Sequence, residues 1–228
     1  MALWVIGDLH LSLGAEKPMD VFGGAWDGYV EKLTEGLKVI SPEDTTVLLG
    51  DLSWGMSMAD AAADFHFIDE HIPGRKLIVK GNHDYWWTTA EKLRKFCEAE
   101  GIENLQVLNN NCFYYENTAL CGTRGWFYDL DGEHNEKIFR RELIRLETSL
   151  KAAGDAEEKI CFLHYPPLCR TYRCGEILQL LAVYGVQTCY YGHLHGPGIR
   201  LAVEGERDGI TYTLASADHL GFSPLRIR

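Results

Sequence analysis

The sequence predicts an α/β domain whose first half forms a parallel sheet with covering helices. Three apolar runs of strand length each precede a segment of helical periodicity, and this alternation ends near Gly101. After residue 105, strand-like runs follow one another more closely. The 228 residues show no internal repeat, low-complexity segment or linker, so one domain over 1–228 is the simplest organisation.

The first half supplies three predicted strands and three predicted helices. The strands are the apolar runs 3–6, 45–49 and 76–80, and each precedes a glycine and an Asp or Asn. The helices are expected at 27–40, at 57–71 before Pro73-Gly74, and from Thr88 or Thr89 to Glu100. Thr at the start and Gly101 at the end are typical helix caps.

The second half contains more strand than helix. Strands are predicted at 105–108, 113–122, 159–163 and 188–191, and a hairpin over 200–217 turns at 206–209. Helices are predicted at 136–152 and 176–184. The loop 124–135 lies between two motif regions, and we expect it to act as a lid that shapes specificity.

Composition narrows the class of protein. The formal net charge is -11 and no basic stripe is visible, which argues against a nucleic-acid binder. No run approaches the roughly 18 apolar residues of a membrane span, and the start lacks the basic region of a signal peptide. The seven cysteines form no CxxC pair and are expected to be reduced, so we expect a cytoplasmic protein. The oligomeric state stays open.

Five short motifs carry metal-ligand residue types. In chain order they are Asp8-Leu9-His10, Gly50-Asp51, Gly81-Asn82-His83-Asp84, His164 and Gly192-His193-Leu194-His195. Asp8, Asp51, Asn82, His164 and His193 all follow the end of a predicted strand. Loops at the carboxyl ends of parallel strands meet in one crevice, so the five motifs predict a single site. A single Asp or His at a strand end is usually a turn residue, but five together favour function.

This ordered set resembles the calcineurin-like metallophosphoesterase superfamily, and the resemblance spans residues 8 to 195. It implies a four-layer αββα sandwich, in which two mixed β-sheets are flanked by helices. It also implies hydrolysis of a phosphate mono- or diester by attack of a water or hydroxide that bridges two metal ions. The expected substrate is a small phosphorylated molecule.

The resemblance also assigns metal ligands. One ion would take Asp8, His10 and His195, the other would take Asn82, His164 and His193, and Asp51 would bridge the two. Carboxylate, amide oxygen and imidazole ligands suit two divalent ions, with Mn, Fe or Zn expected and manganese a common choice. Without a Cys ligand, a structural zinc site is not indicated.

His83 and Asp84 are the predicted catalytic residues. His83 is not needed as a ligand, and the matching histidine of the family protonates the leaving oxygen or stabilises the transition state. An imidazole titrates near neutral pH, which suits either role. Asp84 is expected to orient His83, with a helix-start carboxylate as the alternative.

Residues near the motifs suggest how substrate is chosen. Arg124 follows a predicted strand end, and its guanidinium suits phosphate oxygens, although a surface salt bridge is the alternative. Lys80 either supplies a charge or is simply solvated. Nearby aromatic side chains either line a pocket or pack between helix and sheet: Trp54, Tyr85, Trp86, Trp87, Trp126, Phe127 and Tyr128.

Two alternatives remain to the general phosphoesterase prediction. A nucleotide or cyclic nucleotide phosphodiesterase is the alternative within the enzyme class. A catalytically silent metal-binding scaffold on the same fold is the alternative of another class, but it leaves His83 unexplained. His66, His71, His134 and His219 match no motif and are expected to be structural or solvated.

Overall fold

The computed structural model describes residues 1–126 and 136–228. Its first half alternates four strands with three helices. The strands are β1 (Leu3–Ile6), β2 (Thr45–Leu48), β3 (Arg75–Ile78) and β4 (Leu105–Val107). The helices are α1 (Tyr29–Leu37), α2 (Ala62–His71) and α3 (Ala90–Glu100).

The second half contributes nine strands and two helices to the described chain. The strands are β5 (Cys112–Tyr115), β6 (Thr118–Thr123), β7 (Glu158–Leu163), β8 (Leu168–Cys169), β9 (Tyr172–Arg173), β10 (Thr188–Tyr191), β11 (Gly205–Arg207), β12 (Ile210–Leu214) and β13 (Leu225–Arg226). The helices are α4 (Glu136–Ala152) and α5 (Gly175–Val183). Short 3-10 turns lie at Met19–Phe22, Gly24–Trp26 and Gly196–Leu201.

These strands form two large mixed sheets. The first sheet has the order β13-β1-β2-β3-β4, with β1 to β4 parallel and β13 antiparallel to β1. The second sheet has the order β11-β12-β10-β7-β6-β5, with a parallel centre and an antiparallel strand at each edge. A separate small hairpin pairs β8 with β9.

Alternating strand residues place the two sheets face to face. Val5 and Val47 point into a cluster that also holds Leu120, Ile160 and Phe162 of the second sheet. The opposite face of the first sheet packs on α1, α2 and α3, and the opposite face of the second sheet packs on α4 and α5. Because each strand turns one face to the other sheet and one to helices, both sheets are buried on both sides. The predicted four-layer sandwich is confirmed.

Local signals place most elements correctly. The hydroxyl of Thr89 accepts a hydrogen bond from the Lys92 amide at 3.2 Å, and Gly101 ends α3 in the left-handed conformation with φ 73°. The predicted strand 113–122 is instead a hairpin of β5 and β6, which turns where Glu116 adopts φ 50°. Strand β13 was not predicted, because two residues carry too little periodicity.

No helix among the described residues is long and apolar enough to cross a membrane. Of the predicted lid 124–135, residues 127–135 lie outside the described residues, as does His134.

Candidate metal centre

The predicted ligands lie at one edge of both sheets. Asp8, Asp51 and Asn82 follow β1, β2 and β3, which are parallel neighbours in the first sheet. His164 and His193 follow β7 and β10, which are parallel neighbours in the second sheet. The carboxyl ends of parallel strands share an edge, so the fold brings all five motifs together, as the sequence predicts.

Direct hydrogen bonds join the two sheets at this edge. The backbone amide of His193 donates to both carboxyl oxygens of Asp8, at 3.0 and 2.9 Å. Nδ1 of His164 lies 2.8 Å from the carbonyl oxygen of Leu49. Each bond connects a loop of one sheet to a residue at the end of a strand in the other, so the site depends on the packing of both sheets.

The backbone at the motifs is held in an uncommon conformation. Asp8, His10, Asp51 and His193 have φ angles of 55°, 47°, 51° and 69°. Non-glycine residues rarely adopt positive φ, and such residues cluster at functional sites because the surrounding structure must enforce them.

Two motif glycines are explained by close approach. A Cβ atom at Gly81 would lie 2.0 Å from Oδ1 of Asp51, and one at Gly192 would lie 2.6 Å from Oδ2 of Asp8. Both glycines therefore let backbone pass directly beside a candidate ligand carboxylate.

The candidate ligands fall into two groups. One contains Asp8, His10 and His195, and the other contains Asp51, His164 and His193, with the ligand atoms of each group within 4.8 Å of one another. Asn82 joins the second group, because its Oδ1 lies 2.7 Å from Nε2 of His164 and 3.0 Å from Nδ1 of His193.

Asp51 lies between the two groups. Its Oδ2 is 3.8 Å from Nε2 of His10 in one group and 3.6 Å from Nε2 of His164 in the other. This oxygen is buried and has no hydrogen-bond partner among the described residues, while Oδ1 accepts a hydrogen bond from the His83 amide at 2.7 Å. One carboxylate oxygen is therefore placed where it can serve both groups.

The chemistry around His164 fits a cation. A carbonyl oxygen can only accept, so Nδ1 of His164 carries the proton that is donated to Leu49. Burial lowers the pKa of His164 to about 3, so the ring is neutral and Nε2 presents a lone pair. That lone pair faces the side-chain oxygens of Asn82 and Asp51, so three acceptors converge. A divalent cation bound between these three atoms would accept their lone pairs and stabilise the arrangement.

The first ligand group also contains buried atoms without hydrogen-bond partners. Both ring nitrogens of His10 are buried and make no hydrogen bond in the described part of the chain. Buried polar atoms are rarely left without a partner, and a bound ion would satisfy the ring nitrogen that carries the lone pair. The residues of both groups thus fit divalent metal ions; the identity of the metal is not fixed by this donor set.

Burial sets the electrostatics of the metal-free site. It raises the pKa of Asp8, with the neighbouring Asp51 carboxylate as the second cause, and it also raises the pKa of Asp51. It lowers the pKa of His10, His193 and His195. Every shift disfavours the charged form, and a bound cation would reverse this for the carboxylates.

His83 lies beside the ligand groups and contacts aromatic neighbours. Its Nδ1 is 3.2 Å from the hydroxyl of Tyr85, and its ring centroid is 4.7 Å from that of Trp54. Trp54 also stacks on His10, with centroids 4.9 Å apart and an interplanar angle of 23°. The Trp54 ring therefore touches both a candidate ligand and the candidate proton donor.

The Asp84 carboxyl accepts hydrogen bonds from four N–H groups. Its Oδ2 accepts from the amides of Gly81 and Asp51, at 2.7 and 3.0 Å. Its Oδ1 accepts from the Leu52 amide at 2.9 Å and from Nε1 of Trp86 at 3.1 Å. The buried carboxyl thus connects the loops after β2 and β3. Its orienting role toward His83 stays a prediction.

Arg124 lies outside the two ligand groups. Its carbonyl oxygen accepts a hydrogen bond from the Tyr165 amide at 2.9 Å, and its Nη2 is 3.5 Å from Oε1 of the buried Glu142. Its Nε is buried without a hydrogen-bond partner among the described residues. Its role toward substrate stays a prediction.

The aromatic residues divide between packing and the site. Trp86 is buried against Phe65, with ring centroids 4.8 Å apart, and Trp87 packs on the same cluster. Tyr85 and Trp54 instead contact His83.

Sequence reasoning missed Asp218. Its Oδ2 accepts from the Gly196 amide at 2.6 Å, and its charge raises the pKa of His195 against the larger effect of burial. Asp218 follows the end of β12 at the edge that carries the ligands, which is the signal that could have found it.

Comparisons with known proteins agree with this geometry. The sequence profile of the family described as calcineurin-like phosphoesterase matches residues 1–197. The chain belongs to the calcineurin-like phosphoesterase family. A search of curated proteins finds no significant match.

Two of the solved structures that match illustrate the shared fold. A protein of unknown function from Aquifex aeolicus is 17% identical with a TM-score of 0.53, and the match covers 99% of this chain and 95% of that one. A protein of Thermus thermophilus is 14% identical with a TM-score of 0.57, and the match covers 98% and 96% of the two chains. At these identities the likeness concerns the fold alone.

Proposed function

We propose that this protein is a binuclear metal-dependent phosphoesterase that hydrolyses a phosphate mono- or diester of a small molecule. The observation that carries this proposal is the position of Asp51. Its Oδ2, which has no hydrogen-bond partner in the described chain, faces His10 of one ligand group and His164 of the other, at 3.8 and 3.6 Å. A carboxylate between two groups of oxygen and nitrogen ligands suits a pair of divalent ions.

Each proposed ligand has a distinct place. Asp8, His10 and His195 would hold one ion, Asn82, His164 and His193 would hold the other, and Asp51 would contact both. Two divalent ions bound there would lower the pKa of a water molecule and stabilise charge on the phosphoryl oxygens. Manganese, iron and zinc all suit these ligands.

His83 would protonate the leaving oxygen. Its backbone amide is fixed by Oδ1 of Asp51 at 2.7 Å, which holds the residue at the edge of the ligand groups. When the ring is doubly protonated, Nδ1 can donate to the Tyr85 hydroxyl, and Nε2 then carries the proton for the leaving group. Trp54 limits the motion of the His83 ring by direct contact.

The test measures hydrolysis of p-nitrophenyl phosphate and bis-p-nitrophenyl phosphate with added Mn²⁺, Fe²⁺ or Zn²⁺. We expect turnover that depends on the metal and is lost on chelation. His83→Ala should retain both ions and lower kcat, with the largest loss on esters that have poor leaving groups. The absence of any rate above background with every divalent metal would support the silent scaffold instead.

We further propose that the protein acts in the cytoplasm. All seven cysteines are free thiols, and each of them except Cys112 is buried in the core. Such thiols are typical of reducing compartments.

A further inference from the structure

Three basic side chains gather beside the candidate metal centre. Lys80 follows β3, Arg124 follows β6, and Arg145 lies on α4; we refer to these three as the cationic cluster. Burial is the main cause that lowers the pKa of Lys80, and the charges of Arg124 and Arg145 lower it further. The three positive charges are therefore close enough to repel one another.

The cluster is only partly neutralised by its acidic neighbours. Glu142 pairs closely with Arg145, and its other oxygen accepts from the Thr123 hydroxyl at 3.1 Å. The Nη2 atom of Arg124 is 3.5 Å from Glu142, which is long for a hydrogen bond. Among the described residues, the three cations therefore share one closely paired carboxylate, that of Glu142.

Two members of the cluster, Lys80 and Arg124, are weakly paired within the described residues. Lys80 forms no ion pair with an acidic side chain of the described residues. Nε of Arg124 is buried and makes no hydrogen bond there. Asp84 is near enough to raise the pKa of Lys80, but its two oxygens already accept four N–H groups. The Lys80 side chain is partly exposed and the Arg124 side chain is 21% exposed, so an anion that arrives from solvent can reach both. It would meet two positive charges, neither of which has a close carboxylate partner among the described residues.

The cluster adjoins the second ligand group. Lys80 is two residues before Asn82, and the Arg124 carbonyl is bonded to the amide next to His164. An anion held by Lys80 and Arg124 would therefore lie next to the ions proposed at Asn82 and His164.

We propose that Lys80 and Arg124 form an anion subsite that takes a non-bridging oxygen of the scissile phosphoryl group, and that this subsite makes phosphate monoesters the preferred substrates. This inference rests on the proposed phosphoesterase function and names its substrate class. A monoester carries one more negative charge than a diester and leaves one more oxygen uncovered. The planar fork of Arg124 and the point charge of Lys80 recognise that oxygen, whereas a second ester group would leave both unpaired.

The experiment compares two esters with the same leaving group, p-nitrophenyl phosphate and methyl p-nitrophenyl phosphate, on the metal-loaded protein. Arg124→Gln and Lys80→Gln should each lower kcat/KM for the monoester about 10- to 100-fold and change the diester value less than about threefold. Arg124→Lys keeps the positive charge but loses the planar fork of the guanidinium. Its kcat/KM for the monoester should therefore lie between the values of the wild type and of Arg124→Gln. Arg94→Gln, on the exposed face of α3, is the matched control and should leave both values unchanged.

A binding measurement provides a readout that does not depend on turnover. Isothermal titration of inorganic phosphate into the metal-loaded protein should give a Kd that rises about tenfold or more in Arg124→Gln and Lys80→Gln. Metal content and thermal unfolding are measured on each variant. Lys80→Gln serves as the second route if Arg124→Gln unfolds, because Lys80 has no ion pair within the described chain that the fold would lose.

The outcomes separate the two proposals. If the wild-type protein hydrolyses neither ester with any metal, the proposed function fails, and the phosphate titration still tests the subsite. If the wild type is active but prefers the diester, the subsite inference is overturned while the function stands. Equal losses on both esters, or an unchanged phosphate Kd in both variants, would overturn it as well.

Discussion

The hydroxyl group of Tyr85 lies 3.2 Å from Nδ1 of the His83 imidazole. This contact gives the candidate proton donor a polar partner two residues along the chain. Tyr85 is about half exposed, so the bond is reachable by water and its contribution is modest. A single hydrogen bond of this kind contributes about 0.5–1.5 kcal/mol.

We expect Tyr85→Phe to lower kcat about 3- to 10-fold, with little change in KM, because the substitution removes only the hydroxyl that orients His83. In a His83→Ala background the same substitution should have no further effect, since the two residues act through one contact. Steady-state kinetics on esters with good and poor leaving groups measures both. Tyr114→Phe is the control, because the Tyr114 hydroxyl donates its hydrogen bond to the Ala153 carbonyl. Additive losses in the double variant would contradict the coupling.

The second prediction concerns Asp51. Asp51→Asn keeps the size of the side chain but removes the charge that both ligand groups face, so tight binding of both ions should be lost. Asp8→Asn should affect mainly the group that contains His10 and His195, and leave about one ion bound. Elemental analysis of the purified variants distinguishes these outcomes. Asp155→Asn, on an exposed turn, should match the wild type. Two ions retained in Asp51→Asn would refute the bridging position.

The third prediction concerns the buried Asp84 carboxyl. Asp84→Asn places an amide donor among four N–H donors, so at least one buried group loses its acceptor. We expect a loss of about 2–4 kcal/mol in the free energy of unfolding, seen as a fall in Tm of at least about 5 °C. Calorimetry compares the Tm of this variant with that of Asp27→Asn, which changes an exposed carboxyl before α1. An unchanged Tm together with reduced kcat would instead favour the orienting role toward His83.

The fourth prediction concerns pH and metal removal. In the metal-free protein, burial raises the pKa of Asp8 and of Asp51 above the usual carboxyl value of about 4. Between their unfolded and folded pKa values, these two carboxyls bind more protons in the folded protein than in the unfolded chain, so their contribution to stability falls as the pH rises. The buried His10, His164, His193 and His195 have lowered pKa values and act in the opposite direction below their unfolded pKa of about 6.5. Above about pH 6.5 the histidines no longer contribute, so the stability of the metal-free protein should fall as the pH rises further and Asp8 loses its proton.

Metal binding should change this pH dependence. Divalent ions hold both carboxylates in the charged form, so the loaded protein should lack that decline and should be more stable at neutral pH. Below neutral pH, protons compete for Asp51 and the apparent metal affinity should weaken. Thermal unfolding between about pH 4 and 8, with and without chelator, measures the effect. A metal-free protein whose stability rises between about pH 6.5 and 8 would contradict the direction of the carboxyl shifts.

The sequence alone predicted the parts of the fold that local patterns encode. Apolar runs before Gly50 and Gly81 indicated the first-sheet strands, and Thr89 with Gly101 indicated both ends of α3. Because each motif follows a strand, the sequence also predicted that the candidate ligands would share one edge. The resemblance added the second sheet and its four-layer arrangement, and the structure agrees with both.

Only the tertiary structure decided which residues touch across the chain. The amide of His193 bonds to Asp8 although 185 residues separate them, and His164 bonds to Leu49 across 115 residues. Three further features also depend on contacts between residues that are distant in sequence. They are the partners of Asp84, the pairing of β13 with β1, and the group formed by Lys80, Arg124 and Glu142. Residue type and spacing report local propensity and the face a side chain takes, whereas these contacts depend on how two sheets and their helices pack. The sequence therefore determined which ligands are present, and packing decided how they are held and which charges lie beside them.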